Sequence, residues 1–191
     1  MNKVLIVVDA QEDFTRGSLR NEEAIKALPI IHDIVEFAAN NKITIAYTAD
    51  THGEDYMNTQ EGKNLPVPHC IYRTHGWDIC PEVINNEYPH SVIMKETFGY
   101  TGWDKQYNVV SQKIKTADEV WLCGFCTDIC VSANFQLLKA YYPEVPIVVI
   151  SDGCAGITPE HHEAALKVMK SCQARIVNWE VLKHENEAKD N

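Results

Sequence analysis

Positive charge is scarce in this chain: 17 Lys and Arg stand against 27 Asp and Glu, leaving a formal net charge of -10. Nucleic-acid and anionic-membrane surfaces need clustered Lys and Arg, so neither partner is expected. Long hydrophobic runs are missing as well. Met1-Asn2-Lys3 leads directly into the apolar stretch Val4 to Val8 and then Asp9. That stretch is too short for a membrane span or a secretory signal, which makes a cytoplasmic protein the expectation. No repeat, low-complexity tract or linker interrupts the sequence. The 191 residues read as one domain, 1–191, able to bury a sizeable core, with the polar tail from about Lys183 expected to fray. The cysteines number seven and are scattered, which suits reduced thiols better than a disulfide framework.

What is present is an alternation. Apolar, β-branched runs recur at Val4 to Val8, Ile43 to Tyr47, Ser91 to Met94, Glu119 to Cys123, Ile147 to Ile150 and Ala174 to Val177. Continuous runs of this kind predict strands covered on both faces. Between them, Ile31, Ile34, Val35 and Ala38 share one helical face, as do Ala165, Val168, Met169 and Cys172, with Pro159 at a first turn. The expected fold is α/β: three layers, α/β/α, around a central, mostly parallel sheet of Rossmann-like form. Ligands in such folds sit beyond the carboxyl ends of the strands. The segment from about Asp50 to Pro89 has no strong periodicity, and irregular segments of that length are usually functional.

Chemistry-bearing residues fall at those strand ends. Cys130 lies where the strand Glu119 to Cys123 gives way to a helix carrying Val131, Phe135, Leu138 and Tyr142. Unpaired N–H groups in a first helical turn favour a thiolate or an oxyanion, although a lone cysteine also serves as a small buried apolar residue. Asp9 ends the first strand and Lys95 the third; alone, each also reads as a turn or solvated residue. Together they supply a carboxylate to take the thiol proton and an ammonium to favour the thiolate. The backbone N–H groups of Cys126 and Cys130 are the candidates for holding an oxyanion. Phe14 reads either as core or as a stacking surface for a planar substrate. Cys126 and Cys130 are one helical turn apart but lack the Cys-x-x-Cys spacing of a redox pair.

Asp50, His52, Glu61 and His69 lie along the irregular segment. Two imidazoles with two carboxylates suit Zn²⁺, Fe²⁺ or Mn²⁺, although the spacing matches no standard zinc motif and exposed loop histidines are the alternative. Glu54, Asp55, His75 and Cys70 are competitors.

Three separated segments, Val7 to Phe14, Met94-Lys95 and Gly124 to Val131, resemble the isochorismatase-like cysteine hydrolases, and within them the nicotinamidases. The resemblance implies a catalytic triad of Asp9, Lys95 and Cys130, and a cis peptide between Phe125 and Cys126. It implies one divalent metal, foremost zinc, held by Asp50, His52 and His69, with Glu61 similar to the fourth ligand of one subgroup. It also implies Phe14 against the substrate ring. A tryptophan common shortly before the last His is replaced by Pro66. The implied activity is hydrolysis of nicotinamide to nicotinate and ammonia for NAD salvage, with a small amide as partner and a homo-oligomer left open. A related amidase acting on another small amide or carbamoyl compound is the alternative, and a metal- or redox-sensing protein stands third.

Overall fold

The computed structural model describes residues 2–188. The expected strands are all present, as β1 (Lys3–Val8), β2 (Thr44–Asp50), β3 (His90–Lys95), β4 (Glu119–Phe125), β5 (Ile147–Ala155) and β6 (Arg175–Val177). They form a six-stranded sheet in the order β3-β2-β1-β4-β5-β6. Every recorded pairing is parallel, so the expected "mostly parallel" sheet is wholly so. Its central strand β1 is buried along its whole length, which explains why its sequence is continuously apolar rather than alternating.

The helices are α1 (Glu12–Thr15), α2 (Glu22–Asn40), α3 (Gln60–Asn64), α4 (Val109–Lys115), α5 (Ser132–Tyr141), α6 (Pro159–Ser171) and α7 (Trp179–Glu187). Right-handed crossovers put helices that follow leftward and rightward steps on opposite faces, giving the three layers. Asn21 caps α2 by accepting from Glu23 N–H, and Thr158 caps α6 at His161 N–H, with Pro159 in its first turn. Helix α2 begins nine residues before Ile31 and runs through Pro29. Burial of Ala24, Ala27 and Leu28 on the same face as Ile31 and Ile34 carries it past the missing N–H.

Two expectations are corrected. Val168 is 54% exposed, and α6 buries Leu166 beside Ala165 and Met169, because the inward-facing stripe is rotated by roughly a sixth of a turn from the expected one. The tail does not fray from Lys183: α7 continues to Glu187, with Leu182 and Asn186 buried and the Asn186 side chain paired with Lys3. Residues 189–191 of that expected tail lie outside the described residues. No helix among the described residues is long and apolar enough to cross a membrane.

Strand order reverses between β1 and β4, and a crevice opens beyond the carboxyl ends at such a switch point. The two strands are in register at Val8 and Gly124. Gly124 has φ +117°, and a Cβ there would lie 2.0 Å from the Val8 carbonyl oxygen, so only glycine fits. Gly124→Ala is expected to lower stability by about 2 kcal/mol or more, seen as a lower urea midpoint with unchanged m-value. An unaltered midpoint would show that the strands yield at this point.

Candidate active site and metal centre

Beyond the switch point the sheet delivers polar side chains from four strand ends. β1 stops at Val8, and Asp9 turns into the left-handed region, φ 47°, which aspartate tolerates better than most residues. Its carboxylate is fully buried and accepts from Thr48 Oγ1 at 2.6 Å. Lys95 and Asp50 end β3 and β2 side by side in register. Lys95 Nζ lies 2.7 Å from Asp9 Oδ2, 3.1 Å from Asp50 Oδ1 and 3.7 Å from Cys130 Sγ. The peptide Phe125–Cys126 is cis, as the resemblance implied. Cys130 lies in a π-helical turn, Thr127–Val131, that leads into α5, rather than in the first turn of an α-helix.

The electrostatics fit proton transfer. Burial raises the Asp9 carboxyl above its ordinary value, with Lys95 pulling the other way. Burial, reinforced by Asp9 and opposed by Lys95, holds the Cys130 thiol well above a free cysteine. For Lys95, burial favours the neutral amine, but Asp9, Cys130 and Asp50 outweigh it and keep the ammonium charged. Asp9 Oδ2 is close to Nζ yet off the line of a directed hydrogen bond, and has no other partner of good geometry. The contact is therefore mainly coulombic, and Oδ2 keeps a lone pair for a proton.

Asp50 faces two ways. Its Oδ1 meets Lys95, while Oδ2 is 2.9 Å from His52 Nε2 and 3.5 Å from His69 Nε2. Glu61, from α3, brings Oε1 to 3.6 Å from His52 and 3.7 Å from His69. Ligand atoms around a tetrahedral zinc, with bonds near 2.0–2.2 Å, stand roughly 3.3–3.6 Å apart, so three of these four separations already approach that spacing. One donor atom from each residue lies within 4.8 Å of every other. His69 Nδ1 is 2.9 Å from the Val67 carbonyl, which leaves Nε2 as the ligating nitrogen. Burial would raise Asp50, but His52, His69 and Lys95 hold its carboxyl far below the usual range. The donor set fits a divalent cation. Of the competitors, Glu54, Asp55 and His75 are exposed, and Cys70 lies outside the cluster.

Both groups open on one cavity of about 390 Å³, whose walls include Phe14, Asp50, Glu61, His69, Cys126 and Cys130. Phe14, 8% exposed, packs edge-on to His69 at 5.9 Å. Asp9, Lys95 and Cys130, the four candidate ligands Asp50, His52, Glu61 and His69, and Phe14 and Cys126 are thus neighbours around one cavity, and the competing ligands are not. The sequence reading missed their supports. Gln11 is fully buried; its Oε1 accepts from Asp50 N–H at 2.7 Å, and its Nε2 donates to the Asp50 and Trp77 carbonyls. Asp13 accepts from Cys70 N–H at 2.7 Å, beside His69, and from Ser18 N–H. No short-range signal marks Gln11, a glutamine in the loop three positions beyond the end of β1. Cys123 and Cys126 do have Cys-x-x-Cys spacing, but both are free thiols whose pKa burial raises.

A family model described as "Isochorismatase domain" matches residues 3–181. A Bacillus subtilis (strain 168) protein, "Uncharacterized isochorismatase family protein PncA", is 28% identical over 177 residues, covering 87% of this chain and 93% of that one. The crystal structure of nicotinamidase/pyrazinamidase PncA from Bacillus subtilis has a TM-score of 0.78 at 25% identity, over 93% of this chain and 100% of that one. The pyrazinamidase of Pyrococcus horikoshii in complex with zinc has a TM-score of 0.75 at 28% identity, over 93% and 99%.

His52→Ala and His69→Ala are each expected to weaken zinc binding by at least 100-fold, roughly. Competition against a chromogenic chelator measures this, and wild-type zinc content in both variants would remove the histidines from the metal centre.

Proposed function

The chain belongs to the isochorismatase-domain family, and from that premise we propose that it hydrolyses nicotinamide to nicotinate and ammonia through a thioester on Cys130. The observation that carries this reading is one buried ammonium, Lys95 Nζ, in reach of Asp9, Asp50 and Cys130, beside a cavity that also bears Glu61 and His69. In the first half-reaction Asp9 takes the thiol proton as Sγ attacks the amide carbon. The carbonyl electrons move onto oxygen, where the N–H groups of Cys126 and Cys130 receive the charge. As the carbonyl re-forms, the C–N bond breaks and Asp9 returns its proton to the leaving ammonia. Water then attacks the thioester with Asp9 as base, the C–S bond breaks, and the thiolate regains a proton. Throughout, Lys95 balances the negative charge as it passes between carboxylate and sulfur.

A divalent cation, proposed as zinc, held by Asp50, His52, Glu61 and His69 would offer a Lewis-acid position to a lone pair on the substrate ring. Phe14 forms a wall for that ring. This shared cavity favours an amide that also carries a ring nitrogen with a free lone pair over a simple carbamoyl compound. Burial raises the thiols of Cys70, Cys123, Cys126, Cys130 and Cys154, leaving little thiolate for an oxidant, which weighs against redox sensing.

Purified holoenzyme is expected to release ammonia from nicotinamide, and Cys130→Ala, Asp9→Asn and Lys95→Ala to lose about 10²–10⁴-fold or more in kcat. Near-wild-type turnover in any of the three, with its circular dichroism intact, would defeat the triad. Because Asp9 acts ionised and its pKa is raised, kcat/KM should fall with decreasing pH at a point above the ordinary aspartate range. An acid limb at or below that range would mean that another group governs the rate.

A further inference from the structure

The sheet ends on β3, whose outer edge meets no other strand among the described residues. Lys95, in register with Asp50, turns its carbonyl toward β2 and accepts there from Thr51 N–H at 2.8 Å. Backbone groups alternate along a strand, so Ser91 and Ile93 also face β2, while Val92 and Met94 direct their N–H and C=O groups away from the sheet. Side chains alternate too: Ile93 and Lys95 are buried, whereas Val92 is 44% and Met94 52% exposed. Open ladder groups and exposed apolar side chains thus belong to the same two residues. From Ser91 to Met94 the strand has neither proline, charge nor bulge, the devices that usually keep an edge from pairing. Tyr72, also exposed, borders the same cavity as Met94 and widens the apolar surface.

The outward series is His90, Val92, Met94 and Glu96: an imidazole, two apolar groups and a carboxylate. His90 Nδ1 lies 2.9 Å from the Tyr88 carbonyl and its ring is edge-on to Tyr47 at 5.4 Å, which holds the ring and leaves Nε2 for a further contact. A two-fold axis through Ile93 makes this series meet itself, with Val92 opposite the partner subunit's Met94 and His90 opposite the partner subunit's Glu96. These are the hydrogen-bonded pairs of an antiparallel ladder, because their backbone groups are the ones that face outward. An axis through Val92 sets Met94 against the partner subunit's His90, and one through Met94 sets Val92 against the partner subunit's Glu96. Of the three, only the axis through Ile93 matches apolar with apolar and imidazole with carboxylate. We propose that the β3 edge binds a second copy of this chain, by antiparallel pairing about Ile93 that runs one sheet through both subunits. Because Lys95 closes β3, the pairing also anchors from outside the strand that presents the buried ammonium. The association does not depend on the reaction proposed above.

Sedimentation equilibrium of the full chain over a concentration series, at physiological ionic strength, and residue-resolved amide hydrogen exchange test it. A reversible monomer–dimer equilibrium is expected, with exchange at Val92 and Met94 slowing about ten-fold or more as dimer forms. Val92→Lys, at an exposed position, should weaken dimerisation by about 100-fold with unchanged circular dichroism. Glu96→Lys should weaken it by about ten-fold, since the two-fold axis counts the lost pair twice, and His90→Glu added to Glu96→Lys should restore it. A monomer at every concentration would overturn the proposal, as would a dimer indifferent to Val92→Lys or one in which the Val92 and Met94 amides exchange as fast as in the monomer. A double variant that associates no better than Glu96→Lys alone would overturn the register about Ile93.

Discussion

Two carboxylates, Asp9 and Asp50, share one buried site because the Lys95 ammonium stands between them. Removed from water, each carboxylate costs several kcal/mol unless paired, and 2.7 Å and 3.1 Å contacts to a single Nζ meet that requirement for both. The same ammonium lies 3.7 Å from the Cys130 sulfur. One charge therefore holds the carboxyl ends of β1, β2 and β3 together and lowers the cost of negative charge on the thiol. Asp50 extends the arrangement outward: one oxygen belongs to Lys95 and the other to the imidazoles, so any cation bound by His52 and His69 would be electrostatically linked to the nucleophile through one carboxylate.

Around this centre runs a set of buried amides and short polar side chains that do no chemistry but fix where the chemistry happens. Gln11 clamps the backbone of Asp50, Thr48 fixes Asp9, Asp13 ties down the segment bearing His69, and Asn134 joins Cys130 to Phe98. Each is satisfied in hydrogen-bonding terms, which is what allows polar groups to remain in a water-poor interior. The cavity is consequently lined by groups whose positions are set from behind, as preorganised catalysis requires.

Much of this could be read before any coordinates. Asp9 and Lys95 were legible because each follows an uninterrupted apolar run, and a polar residue at the carboxyl end of a parallel strand stands beside the crevice, whether the strand is buried like β1 or at the sheet edge with Val92 and Met94 exposed like β3. Asp50, His52 and His69 were legible as ligand types in an irregular segment. Gln11 and Asn134 were not: a glutamine in a loop and an asparagine in a helix look like solvated residues, and only long-range packing shows that each amide is enclosed. Val168 was misread because a helical face inferred from spacing has no reference direction until the sheet supplies one. The end of α7 was misread because Asn186, polar by type, is buried against Lys3.

Local sequence determined the alternation of strands and helices, since continuous β-branched runs and 3.6-residue periodicity act over a few residues and need no partner to be recognised. It also determined which reactive groups sit at strand ends, and so the kind of chemistry available. Only the tertiary structure decided that these groups meet. The strand order, with β1 and β4 flanking the switch point, brings residues 9, 50, 95 and 130 within a few ångströms of one ammonium. That convergence depends on long-range pairing and on the cost of burying unpaired charge, neither of which is expressed in any short stretch of the chain.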